Sequence, residues 1–164
     1  MEGWIENKTY DEIKIGDSAF VQHTLTMKDI LLFAIMSGDV NPAHLDEDYA
    51  KSDMFHQIIA HGMWGASLIS TLLGTRLPGP GTIYLSQSLQ FLRPVLLGDR
   101  ITAHVVVTDK KPGKHHVKLD CTCVKQTGKE VIVGRAEVIA PTEKIRRKKI
   151  NLPQVKTLLE TLSF

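Results

Sequence analysis

The segment HGMWGASLISTLLG, residues 61–74, constrains the fold most, because it predicts a helix without Asp, Glu, Lys or Arg. Its apolar residues cover almost the whole helix circumference: Met63, Trp64, Ala66, Leu68, Ile69, Leu72 and Leu73. Such a helix has to be buried on nearly every side. A chain of 164 residues is too short to surround it with other helices, so we expect a curved sheet as its wrapper.

The second half of the chain predicts that sheet. From residue 82 onward the helical period gives way to β-branched runs of about ten residues, RITAHVVVTD, HHVKLDCTCVKQ and KEVIVGRAEVIA. Turn signals separate these runs at residues 111–113 and 127–128. Loops this short imply antiparallel neighbours. Residues 17–24 predict a further strand at an edge.

A first helix is predicted in TMKDILLFAIMSGD. Thr26 is a candidate N-cap, Asp29 places an acid in the first turn, and Gly38 supplies a left-handed stop. The predicted buried stripe consists of Ile30, Leu31, Phe33, Ala34 and Ile35.

Charge and composition exclude several classes of function. The formal net charge of +2 is too small to predict binding to nucleic acid or to anionic lipid. No run approaches the roughly 18 apolar residues of a membrane span, and the N-terminus lacks the apolar core of a secretory signal. Cys121 and Cys123 lie two apart in a predicted strand, where a disulfide has poor geometry. We therefore expect reduced thiols and a cytoplasmic protein.

Polar residues concentrate in the segment of residues 37–63, between the two predicted helices, which shows no clear period. These residues are Asp39, Asn41, His44, Asp46, Asp48, His56 and His61. Long segments of this kind are often functional. A calcium loop is excluded because Pro42 and His44 break the ligand pattern, and the histidine spacing does not fit zinc. Asp39 capping a turn and His44 as a packed side chain remain the structural alternative.

Asp39 and His44 are also candidates for acid–base catalysis. Hydration of an enoyl thioester requires water to lose a proton as it attacks Cβ, Cα to gain one, and the thioester oxygen to be stabilised as an enolate. A carboxylate and an imidazole that share one water can move the protons. A backbone N–H at a helix N-terminus, here at His61-Gly62-Met63, can stabilise the oxygen.

Three motifs carry a resemblance to a known family. GDVNPAHLD, IIAHGMWGASLIS and LPGPGTIYLSQSLQFLRPVLLGD, in this order within about residues 13–140, resemble the (R)-specific enoyl-CoA hydratases of the MaoC-like group. The resemblance implies an α+β hot-dog fold, in which an antiparallel sheet wraps a long buried helix. It also implies a homodimer and a reaction on an acyl-CoA thioester without metal or redox cofactor.

The same resemblance implies roles for single residues. Asp39 and His44 match the catalytic pair, and Gly62 matches the residue whose N–H binds the thioester carbonyl. Ser70 matches a serine of the substrate site, and Asn41 is expected to shape the loop or to contact substrate. Trp64 departs from the family pattern, where leucine is commoner, and is expected either to reshape an acyl pocket or to pack in the core.

Two other functions stay open from the sequence: a hot-dog acyl-CoA thioesterase, and a non-catalytic subunit of a heteromeric dehydratase. We expect a hydratase domain over residues 1–142, followed by a basic tail, residues 143–164, with a solvated linker and a short helix over residues 152–162. The tail is similar to the junction that precedes a phosphate acyltransferase domain in related proteins. Since the sequence ends there, we expect no acyltransferase activity.

Overall fold

The computed structural model describes residues 3–152 of the chain. The helices are α1 (Met27–Ser37), α2 (Pro42–Leu45), α3 (Glu47–Ser52) and α4 (Gly62–Thr75). The strands are β1 (Trp4–Glu6), β2 (Ser18–Thr24), β3 (Ile83–Phe91), β4 (Arg100–Lys111), β5 (His116–Lys125), β6 (Glu130–Ile139) and β7 (Arg146–Lys148). Five strands form one antiparallel sheet in the order β2-β4-β5-β6-β3, with the predicted strand of residues 17–24 at one edge as β2.

One face of the sheet forms the core with α4. Side chains alternate between buried and partly exposed over Ile101–Val107 of β4 and His116–Val124 of β5, as expected of strands with one covered face. Their buried residues are Ile101, Ala103, Val105, Val107, Val117, Leu119, Cys121 and Cys123. They belong to one core cluster with the apolar residues of α4. The predicted α+β architecture, a helix against an antiparallel sheet, is confirmed.

The expectation that α4 is buried on nearly every side is wrong within the single chain. Its buried residues Trp64, Gly65, Leu68, Ile69, Leu72 and Leu73 face the sheet. Met63, by contrast, is 56% exposed, and Ser67, Ser70 and Thr71 lie on the same open side. The sheet covers only one side of the helix, because it has five strands and does not close around it.

The ends of α1 follow the predicted pattern. Thr26 and Asp29 form a reciprocal capping box, and Gly38 ends the helix with a left-handed φ of 75°. The predicted buried stripe is only partly correct. Ile30 and Ala34 are buried, whereas Leu31 and Ile35 are exposed, because only one side of α1 packs against the core.

The segment between α1 and α4 is more regular than its sequence suggested, since it contains the two short helices α2 and α3. Asn41 caps α2 by accepting the Ala43 N–H, and Pro42 occupies the first turn. Asp46 caps α3 by accepting the N–H groups of Asp48 and Tyr49. Helices of four and six residues are too short to produce a readable period.

The two cysteines are free, as predicted, and both are fully buried. Burial raises the pKa of the Cys121 thiol to about 11 and that of Cys123 to about 12. Both side chains contribute to the face of β5 that contacts the core. They are structural thiols that stay protonated near neutral pH.

The predicted solvated linker is in part a strand. β7 pairs with β1, and Lys144 forms ion pairs with Glu6 and Glu12 and donates to the Asn7 carbonyl. The predicted short helix lies almost entirely outside the described residues. No helix among residues 3–152 is both long and apolar enough to cross a membrane.

Asp99 stabilises the turn that leads from the pocket wall into β4. Burial alone would raise its pKa, but hydrogen bonds from Lys125, Leu96 N–H and Gln126 outweigh burial, so its pKa lies below the usual value. The Lys125 Nζ is 2.5 Å from the carboxylate, and both side chains are 12% exposed. The charged form of Asp99 is therefore favoured in the folded protein.

We expect Asp99→Asn to lower the free energy of unfolding at pH 7 by about 1–3 kcal/mol, the usual range for a hydrogen-bonded buried charge. Because the folded pKa is depressed, this contribution is present above the ordinary carboxyl pKa and is lost as pH falls through the folded value. Urea titrations at pH 7 and pH 3 measure it. Asp120→Asn, which removes the exposed pair with Arg135, serves as the control with an effect below about 1 kcal/mol. Equal losses for the two variants at pH 7 would contradict the prediction.

Candidate active site

Asp39 and His44 lie close together at the start of the segment that leads into α4. Asp39 follows the end of α1 and is exposed, and its Oδ1 accepts the Asn41 N–H at 3.2 Å. His44 is on α2 and only 7% exposed. One carboxylate oxygen of Asp39 and one ring nitrogen of His44 are within 4.8 Å of each other. A single water molecule can bridge groups at this separation.

The tautomer of His44 follows from its hydrogen bond. Its Nδ1 lies 2.8 Å from the Ile59 carbonyl oxygen, which can only accept, so Nδ1 carries the proton. The neutral ring therefore has an unprotonated Nε2. This nitrogen can accept a proton or a hydrogen bond from water, which is what the predicted pair needs.

His61 joins this pair, although no sequence pattern assigned its side chain a role. It is 3% exposed, and its Nε2 lies 3.0 Å from the Asp39 carbonyl oxygen. The His61 ring is 3.9 Å from the His44 ring, centroid to centroid, and 4.9 Å from the Phe33 ring. Only its position directly before Gly62, at the start of the apolar helix, could have drawn attention to it.

A pocket of about 310 Å³ opens beside these residues. Its walls come from Phe55, residues 59–62, Gly65, residues 91–95 and Ile132, and they are mostly apolar. His44 lines one side of the pocket, whereas Asp39 is not among the lining residues. Gly62 lines it as the first residue of α4, where its N–H has no acceptor among residues 3–152. A Cβ on Gly62 would come within 3.1 Å of the Phe91 ring, so a side chain here would crowd the pocket wall.

Of the remaining predicted residues, some lie near the site and others do not. Asn41 uses its side-chain oxygen to cap α2, which is the loop-shaping contact expected of it. Ser70 is exposed on α4 and does not line the pocket, so within one chain it is not brought to Asp39 and His44. Trp64 is 6% exposed and contacts the His23 ring edge-on at 5.6 Å, which is the core-packing alternative. Asp46 and Asp48 serve or flank the cap of α3.

Asp39, His44 and His61 also form a group of potential metal ligands. The planes of the two rings are tilted by 34° to each other. Each ring already gives one nitrogen to a backbone carbonyl oxygen, His44 Nδ1 to Ile59 and His61 Nε2 to Asp39. These hydrogen bonds hold both rings in place without a metal ion.

The fold and the site together define a class: a hot-dog protein whose acid and imidazole lie at the N-terminus of the central helix. Residues 15–130 match the family described as MaoC like domain, and the chain belongs to this family. An (R)-specific enoyl-CoA hydratase of Rhodospirillum rubrum is 51% identical over 132 residues, which are 80% of this chain and 91% of that protein. A 3-hydroxybutyryl-CoA dehydratase of Methylorubrum extorquens is 40% identical over 80% of this chain and 83% of its own length.

A solved structure agrees with the fold. The unliganded R-hydratase from Pseudomonas aeruginosa superposes with a TM-score of 0.89 at 42% sequence identity, covering 93% of this chain and 98% of that one. This similarity confirms the predicted hot-dog fold.

Proposed function

We propose that this protein is an (R)-specific enoyl-CoA hydratase, a hydro-lyase that reversibly adds water to trans-2-enoyl-CoA and gives (R)-3-hydroxyacyl-CoA. The observation that carries the proposal is that Asp39 lies within 4.8 Å of His44, and that His44 lines an apolar pocket together with Gly62, the first residue of α4. The names of the relatives at 51% and 40% identity support the reaction, and the name of the first also supports its stereochemistry.

The proposed mechanism uses one water between the carboxylate and the imidazole. Asp39 accepts a proton as the water oxygen attacks Cβ, while the unprotonated Nε2 of His44 orients the same water. The proton is returned to Cα by way of the Asp39–His44 pair, so that water is added across the double bond and the site ends in its starting state. The reaction needs no metal or redox cofactor.

Gly62 stabilises the charge that develops on the thioester. As the bond to Cβ forms, electrons move to the thioester oxygen, and the Gly62 N–H at the start of α4 donates to this enolate oxygen. The partial positive charge at the helix N-terminus acts in the same direction. The apolar walls of the pocket, including Phe91 and Ile132, hold the acyl chain.

Incubation with crotonyl-CoA tests the reaction. We expect enoyl absorbance to fall without release of free thiol, and the product to be the (R)-3-hydroxy thioester by chiral analysis. Thiol release at the same rate would instead identify a thioesterase. If the purified chain is inactive alone but active after mixing with a second subunit, the non-catalytic alternative is correct.

A homodimer is part of the proposal. β3 is an edge strand of the sheet, and its exposed apolar side chains include Ile83, Leu85 and Phe91. Long apolar edges of this kind are usually covered. A second copy seated on β3 and on the open side of α4 would cover them and bring its surface to Ser70. Sedimentation equilibrium is expected to give twice the chain mass across concentrations, and a monomer would contradict the proposal.

Two further assignments are proposed. The buried, protonated thiols of Cys121 and Cys123 are compatible with a reducing compartment, and we place the protein in the cytoplasm. The reaction assigns it to the metabolism of fatty acyl thioesters.

A further inference from the structure

We infer that His61 is a positioning residue of this site: it fixes Asp39 relative to Gly62 and supports the ring of His44. This inference rests on the proposed hydratase function and deepens it. The arrangement that points to it is a buried imidazole that touches both members of the acid–base pair while one of its own nitrogens has no partner.

The hydrogen bond of His61 connects two parts of the site that are far apart in sequence. Its Nε2 donates to the carbonyl oxygen of Asp39, 22 residues earlier, because that oxygen can only accept. His61 directly precedes Gly62, so this bond ties the backbone that carries the base to the backbone that carries the thioester-binding N–H. A bond at this point sets the distance between the two groups, and errors of about 1 Å in such distances cost much of the rate.

The ring of His61 acts on His44 by contact. The two ring centroids lie 3.9 Å apart, and among residues 3–152 one hydrogen bond, from Nδ1 to Ile59 O, holds the His44 ring. That bond fixes one edge of the ring and leaves its plane able to tilt about the side-chain torsions. The flat surface of His61 removes this freedom and keeps the His44 Nε2 aimed at the water beside Asp39.

The second nitrogen of His61 shows that the imidazole is not chosen for stability. Its Nδ1 is buried and has no hydrogen-bond partner. An unpaired buried acceptor destabilises the folded state, so an apolar ring of similar size removes this penalty, which offsets the loss of the Nε2 hydrogen bond to Asp39. Since Phe33 already contacts this ring at 4.9 Å, a phenyl group has apolar surroundings here. Stability and activity therefore make opposite demands on this position.

Two substitutions of His61 separate its effect on stability from its effect on activity. His61→Phe keeps a flat ring but loses the bond to Asp39, and we expect an unchanged or raised melting temperature together with a kcat reduced on the order of 10–100-fold and little change in KM. His61→Gln can keep a donor to the Asp39 carbonyl, and we expect it to recover a large part of the kcat lost in His61→Phe. His104→Gln, which removes an imidazole from the outer side of β4, is the control with wild-type kinetics.

The outcomes are distinguishable. If wild-type protein does not hydrate crotonyl-CoA, the proposed function fails and the inference fails with it. If wild-type protein is active and His61→Phe keeps its kcat, His61 does not position the site and the inference alone is overturned. Loss of kcat that follows a fall in melting temperature, with no recovery in His61→Gln, would assign His61 a purely structural role and also overturn it.

Discussion

Replacing Asp39 by asparagine is expected to lower kcat for hydration of crotonyl-CoA by on the order of 100-fold or more, the effect of removing a positioned base. Asparagine has nearly the same shape and keeps an oxygen that can accept the Asn41 N–H, now made by Asp39 Oδ1 at 3.2 Å. What it lacks is the basicity to take a proton from water. Because the Asp39 side chain is exposed, the variant should fold as stably as the wild type.

The control for this prediction is Asp48→Asn. Asp48 lies in the same segment, on α3, and its side chain is 99% exposed and forms an ion pair with Lys51 at 3.8 Å. We expect wild-type kinetics for it. Melting temperatures of both variants, measured beside their kcat values, separate a loss of base from a loss of folding. Near-normal hydration by a folded Asp39→Asn protein would remove Asp39 from the mechanism.

The sequence predicted those parts of the structure that depend on local rules. The capping box of Thr26 and Asp29 and the left-handed Gly38 follow from the preferences of helix ends, and the structure has all three. The alternating runs of β4 and β5 predicted strands with one buried face. The closeness of Asp39 and His44 could also be predicted, because both belong to one short motif.

Other features depend on which surfaces meet in three dimensions, and the sequence was a poor guide to them. Leu31 and Ile35 fit an apolar stripe but face away from the core, because periodicity does not tell which side of α1 packs on the sheet and helices behind it. The position of Ser70 on the open side of α4 depends likewise on which face of that helix the sheet covers. His61 was missed because its partners, Asp39 and Phe33, are more than twenty residues away.

The second large effect is expected at Gly134, in the middle of β6, where alanine should lower the free energy of unfolding by about 2–4 kcal/mol. Gly134 pairs with Leu89 of β3 and Cys121 of β5. A Cβ built on it would lie 1.9 Å from the Ser88 carbonyl oxygen and 3.1 Å from the Leu89 Cα. These are backbone atoms, which cannot rotate away as a side chain would. The glycine is therefore required by a close approach of two strands.

An added Cβ at residue 134 would push β3 away from β6. This movement should reach the active site, because β3 ends at Phe91, which lines the pocket and faces Gly62. We expect Gly134→Ala to lose activity together with stability, as β3 moves off β6 and the pocket wall moves with it. Gly3→Ala is the matched control, since a Cβ there meets nothing closer than the Lys149 side chain at 3.7 Å. Urea titration and crotonyl-CoA hydration measure the two effects. A Gly134→Ala protein with wild-type stability would contradict the close approach of β3 to β6 at this point. It would also contradict the proposed position of Phe91 in the wall of the acyl pocket.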